Sequence, residues 1–354
     1  MTEIQKAVAR VPVSEGQHPV GVALVGFGYW GPNLARNFAE MTQADLLYVV
    51  DRDASARARA AHLYPGTQVV AELAEALADP RVEAVAIATP ALSHVALAQI
   101  ALEAGKHVFV EKPMATTLAD ARRLLAQAQA RGRVLMVGHV FEYNPAVWYI
   151  RDAIRRGELG QVYYLYSRRV NLGRVQSDIN ALWSIAPHDV SIALFLLEQM
   201  PETVTCQGAA WLNGRVEDVV FLTLHFPGNV LCHIHTSWLD PSKQREMTIV
   251  GSRKMIVYDD VSSEGKIRVY DKGVYRKGDP IYGEYQFKVH TGDILIPRID
   301  MREPLRLELE DFTQAIRAGT RPKADAQDGL RVVAVLEAGQ QSLEQGGRPV
   351  PVAV

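Results

Sequence analysis

Cysteine is scarce in this chain, which has 354 residues and two cysteines, Cys206 and Cys232. Two cysteines cannot build a disulfide framework, and their spacing is not that of a metal site. Both lie in strand-like runs, so we interpret them as small buried hydrophobic residues. The scarcity therefore excludes a scaffold held together by disulfides.

Long apolar runs and an excess of charge of one sign are missing as well. No uninterrupted run approaches the ~18 apolar residues of a membrane span, and residues 1–19 lack the apolar core of a signal peptide. The net charge is −2 and the pI is about 6.6, so no basic footprint indicates nucleic acid. We therefore expect a cytoplasmic protein without nucleic-acid or membrane partners. Residues 1–19 are expected to form a flexible leader.

Signatures of hydrolases and metal enzymes are also missing. The chain has no G-x-S-x-G elbow and no Walker loop, so hydrolase and nucleoside-triphosphatase functions lack support. His233 and His235 alternate on a predicted strand and face the same side, which would suit two metal ligands. No third ligand presents itself, so we predict no metal.

A glycine-rich stretch near the beginning organises what is present. An apolar run over residues 20–25 predicts a buried strand, and a helical segment follows the turn Gly26-Phe27-Gly28-Tyr29-Trp30-Gly31. Strand, glycine turn and helix in this order are typical of dinucleotide binding. Gly26 permits the tight turn, Gly28 lets the backbone approach a pyrophosphate, and Gly31 lets the helix pack closely on the strand. The helix N-terminus then offers N–H groups to the phosphates.

An acidic residue ends the second predicted strand. Asp51 follows an apolar run and lies about 20 residues after Gly31, where an acidic side chain accepts hydrogen bonds from the adenosine ribose. A carboxylate there repels the 2′-phosphate of NADP, so we expect NAD as the cofactor. Arg52 follows directly and partly offsets this preference.

Strands and helices alternate through the first part of the chain, which predicts a doubly wound parallel sheet. Ligands of such sheets bind outside the carboxyl ends of the strands. We therefore predict an NAD-binding Rossmann domain over residues 20–143. Beyond the glycine turn, Asp51 and Arg52, the predicted cofactor contacts at the strand ends are Thr89, Pro90, His94, Glu111 and Lys112.

The pattern changes after residue 143. A helix, a long strand, a polar loop and a second helix are followed by several strands without helices between them. This order predicts an α+β domain over residues 144–354 with a large, open, mostly antiparallel sheet. Because a large sheet with alternating apolar residues needs its second face covered, we expect a homodimer or homotetramer through it. Whether the C-terminal helices pack back on the first domain stays open.

Two side chains are candidates for proton transfer. Lys112 stands in Glu111-Lys112-Pro113 at a strand end in the predicted crevice, where burial lowers the pKa of an ammonium. It could exchange the proton of a substrate hydroxyl, stabilise an alkoxide, or equally be a solvated lysine in a turn. His188 opens a helix after the polar loop, and its ordinary pKa suits proton relay near pH 7, although a lone histidine is more often structural.

Arginines cluster around the polar loop. Arg168, Arg169 and Arg174 could clamp the phosphate or carboxylate of a sugar with an anionic tail. Ordinary salt bridges on a solvated edge explain the cluster equally well. His94 and His139 lie near the cofactor crevice, where lining and structural roles are both open.

Taken together, these residues resemble the glucose–fructose oxidoreductase, inositol dehydrogenase and rhizopine-catabolism family, written Gfo/Idh/MocA. The resemblance covers nearly the whole chain, from Val20 to about Val352. It implies a Rossmann domain, an open antiparallel sheet domain for substrate and oligomer contacts, and hydride transfer between a sugar or cyclitol carbon and NAD(P). It also implies that Lys112 and His188 are catalytic. The motifs that carry it are Gly26 to Gly31, Ala88-Thr89-Pro90 with His94, Ala104-Gly105-Lys106-His107-Val108 leading to Glu111-Lys112-Pro113, His188 at the head of its helix, and Asp328-Gly329-Leu330.

One position departs from the family pattern. Many members place an aspartate one helical turn before the histidine, where this chain has Ser184, so the Asp–Lys–His arrangement of polyol dehydrogenases is incomplete. The segment over residues 166–189 is similar to a branch of nucleotide-sugar biosynthesis. Members of that branch oxidise the 3-hydroxyl of UDP-N-acetylglucosamine or its uronate. The expected substrate contacts are Lys112, Tyr143, Asn144, Arg168, Asn171, Arg174, Ser184 and His188.

The leading hypothesis is therefore NAD-dependent oxidation of a nucleotide-linked sugar at C3. In it, Lys112 polarises the hydroxyl and His188 is the base, although the sequence leaves these two roles open. The alternatives are a reductase of 3- or 4-keto deoxysugars, a polyol or inositol dehydrogenase, an NAD-dependent glycosidase, and an NAD sensor without catalysis.

Overall fold

The structure is a computed structural model that describes residues 18–173, 175, 179–212, 214, 216–276 and 287–353. Its first part alternates strands with helices. In chain order the elements are β1 (Val20–Val25), α1 (Gly31–Glu40), β2 (Ala44–Val50), α2 (Ala54–Leu63), β3 (Gln68–Val70), α3 (Leu73–Leu77), β4 (Ala84–Ile87), α4 (His94–Glu103), β5 (His107–Glu111), α5 (Leu118–Ala130) and β6 (Leu135–Gly138).

Within the described residues, these strands form a parallel sheet of six in the order β3-β2-β1-β4-β5-β6. The order reverses between β1 and β4, which creates the switch point where doubly wound sheets bind ligands. Both central strands are buried along their whole length, as the apolar runs indicate. The predicted Rossmann fold is confirmed.

The second part is α+β. Its elements are a 3₁₀ turn (Val140–Tyr143), α6 (Pro145–Arg155), β7 (Val162–Leu172), α7 (Ala181–Ser184), α8 (Ala186–Leu197), β8 (Thr203–Ala209), β9 (Val219–Phe226), β10 (Val230–Ser237), β11 (Leu239–Gly251), β12 (Met255–Asp259), β13 (Ile267–Arg276), β14 (Phe287–Leu295), α9 (Pro304–Ala318), α10 (Ala326–Glu344) and β15 (Val350–Pro351).

The described strands of this part form one sheet of nine, ordered β14-β13-β12-β11-β7-β10-β9-β8-β15. All pairs are antiparallel except β7 with β10, so the predicted open, mostly antiparallel sheet is confirmed. The turn Pro227–Asn229 joins β9 to β10, with Gly228 and Asn229 at positive φ. Sequence patterns did not predict β13 and β14. Ile267 and Val269 at the start of β13 are buried, whereas Val274 and Val289 farther along this hairpin are exposed.

The two faces of the large sheet differ. On β7, Leu165, Ser167 and Arg169 are buried beneath helices, whereas Tyr164 and Tyr166 are exposed and stack with ring centroids 6.2 Å apart. The outer face of this chain therefore presents an aromatic and apolar surface. Among the described helices, none is both long and apolar enough to cross a bilayer.

Helix α9 returns to the first sheet. Glu303, just before it, accepts hydrogen bonds from Arg36 at 3.2 Å and Asn37 at 3.1 Å on α1. Phe312 of α9 packs edge-on against Phe109 of β5, with centroids 5.8 Å apart. The C-terminal segment thus completes the core of the nucleotide-binding half, and the division of the chain at residue 143 remains our proposal.

Candidate active site

The glycine turn has the geometry that a dinucleotide requires. Gly26 has a φ of +96°, and a Cβ added to Gly31 would lie 2.1 Å from the carbonyl oxygen of Gly26. A Cβ on Gly28 would meet no atom within 4 Å among the described residues. The turn is therefore closed on the protein side and open where a pyrophosphate approaches. These residues fit the phosphates of NAD.

Asp51 anchors this turn from the next strand. Its two carboxylate oxygens accept hydrogen bonds from the backbone N–H of Phe27 at 2.7 Å and of Asp53 at 2.8 Å. Each oxygen keeps a further lone pair, so the carboxylate can also accept from a ribose hydroxyl. Arg52 and Tyr29 are exposed beside it, Tyr29 to 81%, so the structure leaves both side chains accessible to a ligand.

Of the predicted cofactor contacts, Phe27 can act only through its backbone, and His94 requires correction. The Phe27 side chain is fully buried against Tyr64, at 6.2 Å between centroids, so only its backbone borders the turn. Both ring nitrogens of His94 lie 2.8 Å from backbone carbonyls, those of Pro113 and Thr89. Burial lowers the pKa of His94. This imidazole joins two strand-end turns and has no ring nitrogen left for NAD.

The turn after β4 is held by a local hydroxyl pair. Ser93 donates to the hydroxyl of Thr89 and contacts the carbonyl of Pro90, both at 2.7 Å. Ser93 therefore braces the turn instead of capping α4 with its side chain. Thr89 and Pro90 remain at the carboxyl end of β4, where the cofactor crevice is predicted.

Glu111 is an acid at the carboxyl end of β5. The Glu111 carboxyl lies over Gly138 of the adjacent strand, where a Cβ would be 3.0 Å from its Oε1 and Oε2. Burial raises the pKa of Glu111 to about 7, opposed by the Lys112 ammonium and the Trp30 indole. Gly138 thus makes room for an acid whose pKa is raised by burial.

Lys112 reaches across to the second part of the chain. Its Nζ donates a 3.0 Å hydrogen bond to the backbone carbonyl of Ser184, one helical turn before His188. Burial lowers the pKa of Lys112 from 10.5; Glu111 opposes this, whereas Arg169 and Arg245 add to it. The structure therefore brings Lys112 to the helix start that carries His188, and Ser184 contributes its carbonyl.

His188 lies in the same electrostatic environment. Its ring packs edge-on against Phe141 with centroids 5.1 Å apart. Burial and then the Lys112 charge lower the pKa of His188 well below 6.5, so the imidazole is neutral at pH 7. His139, at the end of β6, is buried with no partner for either ring nitrogen among the described residues. Burial and Lys112 lower its pKa to about 3.

Arg169 on β7 stabilises the start of helix α8. Its guanidinium donates to both oxygens of Asp189 at 2.6 and 3.3 Å, and it lies 4.4 Å from the centroid of the Phe141 ring. Asp189 is the residue after His188, so this buried pair ties α8 to β7. Because its guanidinium already forms two hydrogen bonds with Asp189, Arg169 is not available to bind a substrate.

Arg245 is a candidate that sequence reasoning missed. It pairs with Arg169 across strands β11 and β7, so both side chains lie on the same face of the sheet. Its side chain is 40% exposed and forms a long contact of 3.6 Å with Asp260. A cross-strand register, which no local pattern reveals, was needed to find it.

Several predicted substrate contacts do not reach this region. Arg168 lies on the outer face of the sheet in a 3.4 Å ion pair with Glu246, which corrects its expected role in the pocket. Alternation along β7 makes neighbouring arginines point to opposite faces. Asn171 is half-buried on β7 and stays a prediction, and Arg174 lies outside the described residues.

Two others are engaged within the fold. The Tyr143 hydroxyl is buried, donates to Asp311 at 2.6 Å and accepts from the N–H of Ala324 at 3.1 Å. Asn144 accepts from the N–H of Ala146 and donates to the Tyr258 hydroxyl at 3.0 Å. Both side chains therefore join elements of the fold, which corrects the assignment of Tyr143 as a substrate contact. Asn144 also lines a cleft beside this cluster, so its role as a substrate contact stays a prediction.

A cleft of about 230 Å³ opens beside this cluster. It runs between the start of α1 and the 3₁₀ turn that carries Phe141. Its lining includes Trp30, Asn33, Phe141, Asn144, Asp260 and Leu305. Because Asp260 is the partner of Arg245, the cleft continues toward the exposed guanidinium.

His233 and His235 both lie on the outer face of the large sheet. His233 hydrogen-bonds with the Thr223 hydroxyl at 2.9 Å, and His235 stacks on Phe221 at 4.5 Å. Among the described residues, no three His, Cys, Asp or Glu side chains converge as metal ligands.

A dinucleotide turn at a switch point, next to a buried lysine and histidine, defines a nicotinamide-dependent oxidoreductase. The comparisons with known proteins agree. Residues 20–139 match "Oxidoreductase family, NAD-binding Rossmann fold", and residues 147–257 match "GFO/IDH/MocA C-terminal domain". The chain belongs to the Gfo/Idh/MocA oxidoreductase family, and the prediction of NAD as the cofactor is confirmed.

Relatives within this family act on different substrates. The chain is 28% identical to UDP-N-acetylglucosamine 3-dehydrogenase of Acidithiobacillus ferrooxidans, over 88% of this chain and 93% of that protein. It is 26% identical to 4-carboxy-2-hydroxymuconate-6-semialdehyde dehydrogenase of a Sphingobium species, over 92% and 99%. The structure of GenD2 from gentamicin A biosynthesis, in complex with NAD, superposes with a TM-score of 0.81 at 27% identity, covering 96% of this chain and 98% of that one.

Proposed function

We propose that the protein oxidises a hydroxyl of a nucleotide-linked sugar, with the 3-hydroxyl of UDP-N-acetylglucosamine or its uronate as the first candidate. The observation that carries this proposal is the convergence of Lys112 with the helix start of His188. Similarity to UDP-N-acetylglucosamine 3-dehydrogenase supports the choice of substrate. When bound, NAD supplies the acceptor for the hydride that leaves the sugar carbon.

Lys112 and His188 would have different roles in removing the proton of the substrate hydroxyl. The neutral His188 is a weak base, because burial and surrounding cations hold its pKa far below 6.5. The lowered pKa of Lys112 brings it closer to a working pH, which suits a general base. We therefore assign proton removal to Lys112 Nζ and orientation of the hydroxyl to His188, the reverse of the expectation from sequence.

Arg245 supports an anionic substrate. It is an exposed cation on the inner sheet face, and its contact with Asp260 is long enough, at 3.6 Å, to be exchanged for a carboxylate or phosphate. Arg169, by contrast, is held by Asp189. A sugar that carries a uronate or a diphosphate would find its counter-charge at Arg245.

A substrate panel tests the proposal directly. The purified chain is assayed with NAD and UDP-N-acetylglucosamine, its uronate, UDP-glucose and myo-inositol, and in parallel with NADH and keto-deoxysugars. We expect NADH formation with a UDP-sugar and a 3-keto product by mass spectrometry. Turnover with keto-deoxysugars alone, release of free sugar, or NAD binding without any turnover would overturn the proposal in favour of a reductase, a glycosidase or a sensor.

We also propose that two copies pair through the outer sheet face. Tyr164, Tyr166 and Phe221 are exposed there, and an exposed aromatic patch of this kind is typical of an interface. Light scattering of the Phe221→Lys variant against the wild type tests this: a smaller mass is expected, and equal masses would contradict it. Cys206 and Cys232, both buried free thiols, are compatible with the reducing cytoplasm, which we keep as the proposed compartment.

A further inference from the structure

A second cavity lies away from the candidate active site. It has a volume of about 400 Å³ and is bounded by the C-terminal end of α8, by α6 and by the N-terminal end of α10. His188 is at the opposite end of α8, and the 3₁₀ turn over Val140–Tyr143 lies between the two sites, with Phe141 beside the candidate active site and Glu142 in this cavity. The polar side chains that line the cavity and matter here are Glu142, Arg151, Lys323, Asp328 and Arg331.

Glu142 is the unusual member of this lining. It is 4% exposed, and its carboxyl makes no hydrogen bond or ion pair with any described residue. The residue lines the cavity, and its oxygens are not among the fully enclosed polar atoms without a partner in the described residues, so the carboxyl is open to the cavity. Burial, and then the facing Asp328, raise the pKa of Glu142 well above 4.5. The cavity wall therefore carries an acid that the fold itself does not satisfy.

The nearby guanidinium groups are already engaged. Arg151 forms an ion pair with Glu198 and lies over the rings of Trp148 and Phe195, at 5.2 and 4.1 Å from their centroids. Arg331 donates to Asp328 at 3.1 Å. Neither Arg151 nor Arg331 forms an ion pair with Glu142. The carboxyl of Glu142 is therefore the surplus carboxyl of the inner wall, the one without a cationic partner in the described part of the chain.

The mouth of the cavity has the complementary feature. Lys323 is exposed, with Nζ 5.0 Å from the centroid of Trp148 and 5.8 Å from that of Tyr143. It has no ion-pair partner among the described residues. Leu194, Met200 and Val332 supply an apolar wall.

We propose that this cavity binds a small zwitterion of the amino-acid type, with its ammonium against Glu142 and Asp328 and its carboxylate at Lys323. An ammonium satisfies the surplus carboxyl, and charge-assisted hydrogen bonds of this kind are strong. A ligand with only an anionic group would face two acids. A metal ion lacks its ligands, because the described residues contain no cluster of three. The apolar wall selects a short aliphatic side chain.

Binding of this ligand is coupled to proton release. Asp328 has a pKa raised to about 6 by burial and by Asp325, and Glu142 has one raised further from its ordinary value. An ammonium stabilises the ionised forms, so the acids lose protons on binding and affinity increases from pH 6 to pH 8. The charged groups that face Glu142 come from four places: Arg151 on α6, Glu308 on α9, Asp325 before α10, and Asp328 and Arg331 on α10.

Calorimetry on the full chain tests the proposal with three matched probes. L-leucine carries both charges, 3-methylbutylamine lacks the carboxylate, and 4-methylpentanoate lacks the ammonium. We expect the order leucine, amine, acid in affinity, with no detectable binding of the acid. Titrations in buffers of different ionisation enthalpy should show protons released on binding of leucine.

Variants locate the site. Glu142→Gln should weaken leucine binding about tenfold or more and reduce the proton release to the part contributed by Asp328. Lys323→Met should weaken leucine and leave the amine unchanged, whereas Lys243→Met, at an exposed position far from the cavity, serves as the control. Absence of leucine binding at pH 6 and pH 8, or equal binding by the wild type and Glu142→Gln, would overturn the proposal. If Glu142→Gln does not fold, the binding of leucine and of the amine to Lys323→Met is sufficient to test the proposal.

Discussion

The Lys112 ammonium and the Ser184 carbonyl are joined by a hydrogen bond of 3.0 Å across 72 residues of sequence. This contact links the strand-end lysine of the nucleotide-binding half to the helix start of His188. We expect Lys112→Met to lower kcat by a factor of about 10²–10⁴, the usual contribution of general acid–base catalysis. Binding of NAD, followed by fluorescence, should be unchanged. Lys243→Met is the matched control, and a Lys112→Met enzyme with normal kcat would contradict the mechanism.

The adjacent arginines of β7 should behave in opposite ways. Arg169 is buried with Asp189, and breaking a buried pair costs about 3–5 kcal/mol. Arg168 is exposed with Glu246, and such pairs contribute about 0–1 kcal/mol. Urea unfolding should therefore show a large loss for Arg169→Met and little change for Arg168→Met. Equal losses would mean that the assignment of faces is wrong.

The pH dependence of turnover should depend on Arg245. This cation lowers the pKa of Lys112, so its removal in Arg245→Met raises that pKa. If neutral Lys112 is the base, kcat/KM increases with pH through this pKa, and the rising limb should move to higher pH in the variant. A pH–rate profile, with Arg168→Met as control, measures the shift. A limb that stays in place would remove Lys112 as the titrating group.

Coenzyme selection should depend on Asp51. Loss of the carboxylate in Asp51→Ala removes the acceptor for the ribose and the bonds to the N–H of Phe27 and Asp53. Because hydrogen bonds to charged groups contribute about 1.5–3 kcal/mol, the KM for NAD should increase about tenfold or more, with a smaller change for NADP. Asp45→Ala, at an exposed position of β2, is the control. An unchanged ratio of kcat/KM for the two coenzymes would contradict this role.

Glu308 should reduce stability at neutral and alkaline pH. It is fully buried on α9 with neither oxygen bonded to a described residue, and burial raises its pKa well above 4.5. The folded chain thus holds a proton that the unfolded chain releases above about pH 4.3, so this group lowers stability as pH increases. Glu308→Met should raise the free energy of unfolding by about 1–3 kcal/mol at pH 8.

A comparison of pH values makes that prediction specific. At pH 5, where the carboxyl is protonated in the folded chain and partly protonated in the unfolded one, the gain from Glu308→Met should be smaller than at pH 8. Urea unfolding at both pH values measures the difference. The same gain at both would show that packing, and not ionisation, explains the effect.

Local signals were enough to predict the nucleotide-binding half. The turn at Gly26, the acid at Asp51 and the apolar parallel strands each act over short stretches, where sequence patterns determine conformation. The same holds for the lysine at the end of β5. A site shared by Lys112 and His188 was expected only from the family resemblance. The hydrogen bond between Lys112 and Ser184 was not predicted, because no pattern relates positions so far apart.

Side-chain direction was the part that sequence could not supply. Whether Arg168 or Arg169 faces inward depends on the register of β7 against β11, and a shift of one residue exchanges the two faces. His94 and Tyr143 were assigned to ligands because they lie near the crevice, but each is satisfied by groups from distant segments. Arg245 was missed for the complementary reason, since its place beside Arg169 exists only in the assembled sheet.

The return of α9 to the first sheet has a practical consequence for anyone who divides this enzyme. Leu305, Leu309 and Phe312 belong to the same apolar cluster as Val22 and Phe109. A fragment that stops at residue 143 would expose the apolar surface of the nucleotide-binding half that α9 covers, and it would be prone to aggregate. A chimaera that exchanges substrate domains within the family would have to carry its own α9 with the coenzyme half.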